Sequence, residues 1–139
     1  MNILFLCVAN SARSQIAEGL AKSMLGNKHN IQSAGSFPSG EVHPNAIKVM
    51  DDIGVDIRNQ YPKSINDLDK GFINNLDYAI TLCAEELCPT SPFNTQNLHW
   101  INADPANNIY SKAELSISFV KTRENLYKLL KKFMLENSY

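Results

Sequence analysis

A short segment near the start of the chain combines residue types that could bind and attack an oxyanion. It reads Cys7-Val8-Ala9-Asn10-Ser11-Ala12-Arg13-Ser14 and follows the apolar run of residues 3–6. We interpret it as a loop between a buried strand and a helix. The backbone N–H groups of such a loop, and those of the first helical turn, have no partners within the helix and point outward as an anion site.

Two side chains of this segment supply the chemistry. The planar guanidinium of Arg13 matches two oxygens of a phosphate-like group. The same positive environment favours the thiolate of Cys7, which would be a nucleophile at neutral pH. We therefore predict that residues 8–14 bind an oxyanion that Cys7 attacks. The alternative is a buried cysteine at the end of a strand, with Arg13 in a surface ion pair.

A candidate general acid is Asp104, in the pair Asp104-Pro105. An aspartate on a loop stiffened by proline, close to an oxyanion site, could protonate a leaving oxygen. Since Asp-Pro pairs are common in loops, the alternative is an ordinary turn aspartate. The presence of the Cys7 loop in the same chain favours the catalytic role.

The other two cysteines lie in Cys83-Ala84-Glu85-Glu86-Leu87-Cys88-Pro89. Their spacing matches neither a usual zinc site nor the two-residue spacing of thioredoxin-like redox pairs. In a helical turn their Cα atoms would lie about 8.6 Å apart, beyond the disulfide limit of about 7 Å. A bond between them would therefore require the turn to loosen or rearrange. The alternative is two buried cysteines that act as small hydrophobes.

Apolar runs and helical periodicity predict the elements that position these residues. The predicted strands are residues 3–6, 30–34, 78–82 and 98–101. The predicted helices are residues 14–25, 44–53 and 112–135, with a short helix within 65–76. Their alternation predicts one α/β domain over residues 1–139, with a parallel sheet and right-handed crossovers. On the last helix we expect one apolar stripe, formed by Phe119, Val120, Leu126, Tyr127, Leu130, Phe133 and Met134.

Ligands of open α/β sheets bind outside the carboxyl ends of the strands. Three predicted strands end at or near Cys7, Cys83 and Asp104. If the first and third strands are neighbours, their ends lie about 5 Å apart. Cys83 would then be within reach of a group bound to Cys7.

Composition excludes several functional classes. The chain has 139 residues, of which 44% are hydrophobic and 19% charged, as expected for one soluble globular domain. The net charge of -1 gives no support for nucleic-acid binding. The sequence shows no membrane span and no signal peptide. Three cysteines, an odd number, do not form a secreted disulfide scaffold, so we expect a cytoplasmic protein.

Taken together, these residues resemble the low-molecular-weight protein-tyrosine-phosphatase fold, and more closely its arsenate reductase branch. The resemblance extends from the first strand through the Asp-Pro loop. It implies a four-stranded parallel sheet in the order 2-1-3-4, with helices on both faces. The segments that carry it are residues 7–15, Ala17-Glu18-Gly19, Ser33-Ala34-Gly35, Pro44-Asn45-Ala46, Thr81-Leu82-Cys83, Cys88-Pro89, His99-Trp100 and Asp104-Pro105-Ala106.

The resemblance implies that the Cys7 thiolate attacks arsenate held by the loop amides and Arg13. Ser14 would hydrogen-bond the thiolate, Asn10 would fix the shape of the loop, and Asp104 would help to protonate the departing hydroxyl.

The two later cysteines would then complete the reduction. The resemblance implies that Cys83 attacks Cys7, arsenite leaves, and Cys88 attacks Cys83. The resulting disulfide would be reduced by thioredoxin, or alternatively by glutaredoxin.

We expect no tightly bound cofactor and a monomeric chain. Phosphate, sulfate or arsenate would bind in the Cys7–Arg13 loop. Some members of the family bind a potassium ion near this loop, and Asn10, Glu18 and Ser33 match that pattern. A fourth ligand would come from the region of Asn66 and Asp67.

Two other functions are compatible with the same residues. A phosphatase would use a Cys7 phosphoenzyme and Asp104 as the general acid. The residues after Asp-Pro, Ala106-Asn107-Asn108, are not the aromatics that usually line a phosphotyrosine slot in that branch. The third function is oxyanion binding without catalysis, which the complete set of reactive groups disfavours.

Overall fold

Four parallel strands form the centre of the molecule. The computed structural model describes residues 1–84 and 91–138. The strands are β1 (Asn2–Cys7), β2 (Asn30–Gly35), β3 (Tyr78–Cys83) and β4 (Gln96–Asn102). They pair in the order β2-β1-β3-β4, so the predicted order is confirmed. β1 is therefore central, and its carboxyl end lies between those of β2 and β3.

Local signals in the sequence delimit the helices. These are α1 (Arg13–Leu25), α2 (Pro44–Asp51), α3 (Lys70–Asn74) and α4 (Lys112–Glu136), with a short 3₁₀ helix at Ile65–Asp67. Gly26 ends α1 at a positive φ of 78°, which glycine adopts without steric cost. Pro44 is the first residue of α2, where its missing N–H is not needed. Ser111 and Glu114 form a capping box at the start of α4.

The central strands are apolar on both faces because helices cover both sides of the sheet. Ile3 and Phe5 of β1 point into a large core with residues of α1, α2 and α4. Leu4 and Leu6 point to the opposite face, into a smaller core that includes Phe72 of α3. This alternation also determines to which face the residues at the strand ends belong.

The buried stripe of α4 is narrower than the predicted one. Val120 is 39% exposed and Tyr127 is 40% exposed, so both expectations are wrong. The buried positions are Phe119, Thr122, Leu126, Leu130 and Phe133. Their spacing of three or four residues follows one face of the helix. Half-buried residues such as Leu115 and Arg123 flank this face.

None of the helices in the described part of the chain is both long and apolar enough to span a membrane.

Candidate active site

The loop that follows β1 has its carbonyl groups turned towards the neighbouring segment 36–43. The carbonyl oxygens of Cys7, Val8, Ala9 and Ser11 accept backbone N–H groups from that segment at 2.8–3.3 Å. Across a trans peptide bond, an N–H points opposite to the preceding C=O, and the described residues contain no cis peptide. The N–H groups of residues 8, 9, 10 and 12 therefore point to the inner side of the loop.

The N-terminus of α1 lies at the same place. Ala12 is its N-cap residue and provides no side-chain cap, and the first turn contains no acidic residue. An oxyanion inside the loop would complement both the N–H groups and the positive end of the helix dipole. The backbone geometry thus suits the anion site that the sequence predicts.

Ser14 is oriented towards the Cys7 sulfur. The Ser14 Oγ lies 2.9 Å from the Cys7 Sγ. The same oxygen accepts a hydrogen bond from Asn10 Nδ2 at 2.7 Å, which leaves the hydroxyl proton for the sulfur. A hydrogen bond in this position orients the Cys7 side chain. Cys7 is buried and is a free cysteine.

Asn10 holds the loop in a left-handed turn. Its φ is 51°, a region that asparagine tolerates better than most residues. Besides Ser14, its Nδ2 donates to Ser33 Oγ at 2.9 Å, and its Oδ1 accepts the Lys63 N–H at 3.0 Å. Its carbonyl accepts Gln15 Nε2 at 2.9 Å. Because the side chain is fully buried, these bonds face little competition from water.

Arg13 lines the loop and is fixed by the end of β4. Its Nη1 donates to the carbonyl oxygen of Asn102 at 3.0 Å, and the residue is only 7% exposed. The Asn102 side chain is in turn held by Asn125, whose Nδ2 donates to Asn102 Oδ1 at 2.6 Å. These contacts hold the guanidinium near the Cys7 loop.

An irregularity in β4 positions Asn102. Thr81 pairs with His99, but Cys83 pairs with Asn102, so β4 contains one extra residue over this interval. A bulge of this kind bends a strand and redirects the residues that follow, and bulges are frequent near active sites. The sequence pattern does not reveal this bulge.

Asp104 lines the same cleft as Cys7 and Arg13. The cleft has a volume of about 290 Å³, which is sufficient for a tetrahedral oxyanion. Asp104 is exposed, and its Oδ1 accepts the Ala106 N–H at 2.9 Å, which fixes the turn after β4. The structure thus brings Cys7, Arg13 and Asp104 together in one cleft.

His43 contacts the Cys7 loop through its backbone and packs against α4 through its ring. Its backbone N–H donates to the Ser11 carbonyl at 2.8 Å, and its ring lies 4.8 Å from that of Phe119. Its Nδ1 accepts the Asn45 N–H and so caps α2. Burial lowers the pKa of His43 below its usual 6.5, although the negative charges of Asp104 and Glu41 act in the opposite direction.

Cys83 ends β3, the neighbour of β1, and is completely buried. Leu6 pairs with Thr81, so Cys83 belongs to the face of Leu6, whereas Cys7 belongs to the face of Phe5. The strand ends are adjacent, as predicted, but the pleat directs the two side chains to opposite faces of the sheet. Cys83 is disulfide-bonded in the structure. Cys88 lies outside the described residues.

The residues that match a potassium site do lie together. Asn10 Nδ2 donates to Ser33 Oγ, and Ser33 Oγ donates to Glu18 Oε1 at 2.6 Å. Asn66 and Asp67, where a fourth ligand was expected, are exposed in the 3₁₀ helix. The residue that faces Glu18 instead is Lys63, whose Nζ lies 3.8 Å from Glu18 Oε1. Within the described residues, no group of three or more His, Cys, Asp or Glu side chains could hold a metal ion.

Several supporting residues were not predicted from the sequence. Asn102, Asn125, His43 and Lys63 all act on the loop through contacts between distant parts of the chain. Asn102 lies two residues before Asp104, and His43 directly precedes Pro44-Asn45-Ala46, so both stand near segments with a recognisable signal. Lys63 and Asn125 lie in segments whose local sequence carries no motif.

The chain is similar in sequence to a known protein family and to known enzymes. The family model described as low molecular weight phosphotyrosine protein phosphatase matches residues 2–136. An arsenate reductase of Bacillus cereus (strain 03BB102) is 40% identical over 133 residues, which cover 94% of this chain and 92% of that protein.

Two solved structures extend the comparison. An arsenate reductase described in a phosphate-binding state has a TM-score of 0.80 and 28% identity, over 96% of both chains. A thioredoxin-dependent arsenate reductase of Corynebacterium glutamicum has a TM-score of 0.68 and 30% identity, over 96% of this chain and 62% of that one.

Proposed function

Because the chain belongs to the low molecular weight phosphotyrosine protein phosphatase family, and its relatives include arsenate reductases, we propose that it reduces arsenate to arsenite through three cysteines. Cys7 is the nucleophile, and Cys83 and Cys88 carry the electrons onward. The observation that carries the proposal is the presence of Cys83 at the end of the strand next to Cys7. A phosphatase needs only one thiol.

The first step forms a bond between the Cys7 sulfur and arsenic. Arsenate lies in the loop, with its oxygens bound by the inward N–H groups and by Arg13. The Cys7 thiolate attacks arsenic, and one hydroxyl leaves as water after Asp104 supplies a proton. Arsenic is still As(V) at this point. Ser14, which donates to the Cys7 sulfur, orients the nucleophile before the attack.

The second step transfers two electrons to arsenic. The Cys83 thiolate attacks the Cys7 sulfur, so that a Cys7–Cys83 disulfide forms and the S–As bond breaks. The bonding electron pair remains on arsenic, which leaves as As(III) in arsenite. Cys88 then attacks Cys83, releases the Cys7 thiolate and leaves a Cys83–Cys88 disulfide. A dithiol reductant restores both thiols.

The relay requires the end of β3 to rearrange. Cys7 and Cys83 belong to opposite faces of the sheet, so an attack in line with the bond that breaks needs Cys83 to change its orientation. Ala84, directly after Cys83, lies in a cavity that also contains Asp104 and Ala106. This cavity adjoins the cleft of Cys7, which shares Asp104 and Ala106 with it. The residue after Cys83 thus borders a cavity next to the cleft of Cys7.

We propose thioredoxin as the reductant, since a disulfide within one chain is a suitable substrate for a dithiol protein. Glutaredoxin is the alternative. We further propose that the chain acts as a cytoplasmic monomer.

A weak phosphatase activity is a second proposal. Its support is the position of Asp104 in the same cleft as Cys7 and Arg13, which suits acid catalysis of phosphomonoester cleavage. The reaction would proceed through a Cys7 phosphoenzyme and would not involve Cys83 or Cys88.

Two assays on the same preparations test both proposals. One is arsenate-dependent oxidation of NADPH with thioredoxin and its reductase, and the other is hydrolysis of para-nitrophenyl phosphate. We expect Cys7→Ser to abolish both activities. Cys88→Ser should stop multiple turnover of arsenate but leave the hydrolysis unchanged. Sustained arsenate reduction by Cys88→Ser would contradict the relay.

A further inference from the structure

A cluster of buried polar residues next to the Cys7 loop has the composition of a monovalent cation site. Asn10 and Ser33 are fully buried and Glu18 is 3% exposed. Their side chains form a continuous chain of hydrogen bonds, from Asn10 to Ser33 and from Ser33 to Glu18. Carboxylate, amide and hydroxyl oxygens are the donors that a hard cation prefers.

The oxygens of this cluster are already engaged. Asn10 Oδ1 accepts the Lys63 N–H at 3.0 Å. Glu18 Oε1 accepts the Ser33 hydroxyl and lies 3.8 Å from Lys63 Nζ. Glu18 Oε2 accepts Lys22 Nζ at 2.6 Å. One carboxylate thus faces two ammonium groups, so an additional cation would meet net repulsion.

Access to the carboxylate is also controlled by positive groups. The surface groove that reaches Glu18 is lined by Lys22 and Lys63, whose ammonium groups lie next to the carboxylate. A cation in this groove would meet both positive charges beside the Glu18 oxygens.

The position of Lys63 is fixed by the burial of its side chain and by the hydrogen bonds of its backbone. Its side chain is only 12% exposed, whereas that of Lys22 is 50% exposed. Its carbonyl accepts the Gly35 N–H at 2.9 Å, and its own N–H donates to Asn10. The next residue, Ser64, forms a parallel bridge with Gly35. The backbone is therefore anchored to β2 and to the loop, and the ammonium is directed at Glu18.

Electrostatics agree with this geometry. Burial lowers the pKa of Lys63 from its usual 10.5, Glu18 opposes this effect, and Lys22 adds to it. The two ammonium groups thus repel each other, while the carboxylate of Glu18 attracts both.

We propose that the Lys63 ammonium is the resident cation of this cluster, so that the Cys7 loop of this chain is held without potassium. Asn10 is the link to the active site, because it bonds Lys63 through its Oδ1 and Ser14 through its Nδ2. The three residues that match a potassium site do not fit that ion here, since Lys63 already provides the charge.

Thermal unfolding of the intact chain tests the proposal independently of the reaction that the loop supports. The melting temperature is compared in KCl and choline chloride, each at about 100 mM. We expect the native chain to melt within about 1 °C in the two salts. Lys63→Asp removes the ammonium and adds a carboxylate, and its melting temperature should be higher in KCl by about 3–8 °C.

Two further variants make the test decisive. Lys22→Met removes the other ammonium but keeps Lys63, and it should respond to potassium no more than the native chain does. Lys63→Asn replaces the ammonium with a neutral oxygen donor and serves if Lys63→Asp does not fold. A saturable effect of potassium on the native chain or on Lys22→Met would overturn the proposal. So would the lack of any effect on both Lys63 variants.

Discussion

Cys7 depends on a short series of side chains that order one another. Asn10 donates to Ser14, and Ser14 is thereby left to donate to the Cys7 sulfur. A hydroxyl between two polar groups could otherwise rotate freely, but the bond from Asn10 fixes its direction. Because both side chains are fully buried, each bond contributes more than it would in water.

His43 provides a pH-dependent contribution to stability at the scale of one residue. Its pKa in the folded protein lies below 6.5 because of burial. Between the two values the unfolded chain is protonated and the folded chain is not, so the free energy of unfolding must decrease as the pH falls. This contribution is complete above pH 6.5 and is lost as the pH falls towards the pKa of the folded protein.

We predict that His43→Asn reduces the loss of stability between about pH 7 and pH 5. Asparagine keeps an acceptor for the N-cap of α2 but does not titrate. The measurement is the free energy of urea unfolding of both proteins across this range. Curves that remain parallel would show that His43 contributes nothing to the pH dependence.

At the scale of elements, the site depends on the close contact between the Cys7 loop and the end of β2. A Cβ atom on Gly35 would lie 2.4 Å from the Val8 carbonyl oxygen and 3.1 Å from Asn10 N. Both neighbours are backbone atoms, which cannot move aside as a side chain could. Glycine is therefore required at this point because the two backbones approach so closely.

We predict that Gly35→Ala destabilises the fold by about 1–3 kcal/mol, because the strand and the loop must separate. It should also weaken phosphate binding, since the N–H groups of the loop would be displaced. Gly40→Ala is the matched control, as an added Cβ there has no heavy atom within 4 Å. Urea unfolding and phosphate titration measure both effects. Equal stability of the two variants would contradict this role of Gly35.

The sequence predicts some features of the strands and helices but not others. Runs such as residues 3–6 and 78–82 predict buried strands correctly because burial on both faces requires a continuous apolar run. The bulge in β4 leaves no such pattern, since it depends on how β4 pairs with β3. The apolar character of Val120 and Tyr127 predicts burial, but both are exposed because the face of α4 that packs against the core is narrower than its apolar stripe.

At the scale of the whole molecule, the sheet order accounts for the site. β1 lies between β2 and β3, so Gly35, Cys7 and Cys83 end three neighbouring strands. The sequence predicts that Cys7, Arg13 and Asp104 share one cleft, because each lies at the end of a strand or in the segment that follows it. It does not predict Lys63 beside Glu18, because their contact depends on how segment 55–63 folds back against β2.

The overall charge gives little attraction for an anionic substrate. The net charge of the chain is only -1, so long-range steering is weak. Binding must instead come from the local donors of the loop and from Arg13. In the proposed mechanism the thiols then decide the chemistry, since reduction would use Cys83 and Cys88 whereas hydrolysis would not.

A single turnover of the reduced Cys88→Ser variant, mixed with arsenate without thioredoxin, tests this account most directly. The relay predicts about one arsenite released per chain, with Cys7 and Cys83 joined in a disulfide that peptide mapping identifies, because no third thiol can resolve it. The Cys83→Ser variant should release none. Arsenite release by Cys83→Ser, or a Cys88→Ser variant that releases arsenite without a Cys7–Cys83 disulfide, would contradict the three-cysteine mechanism.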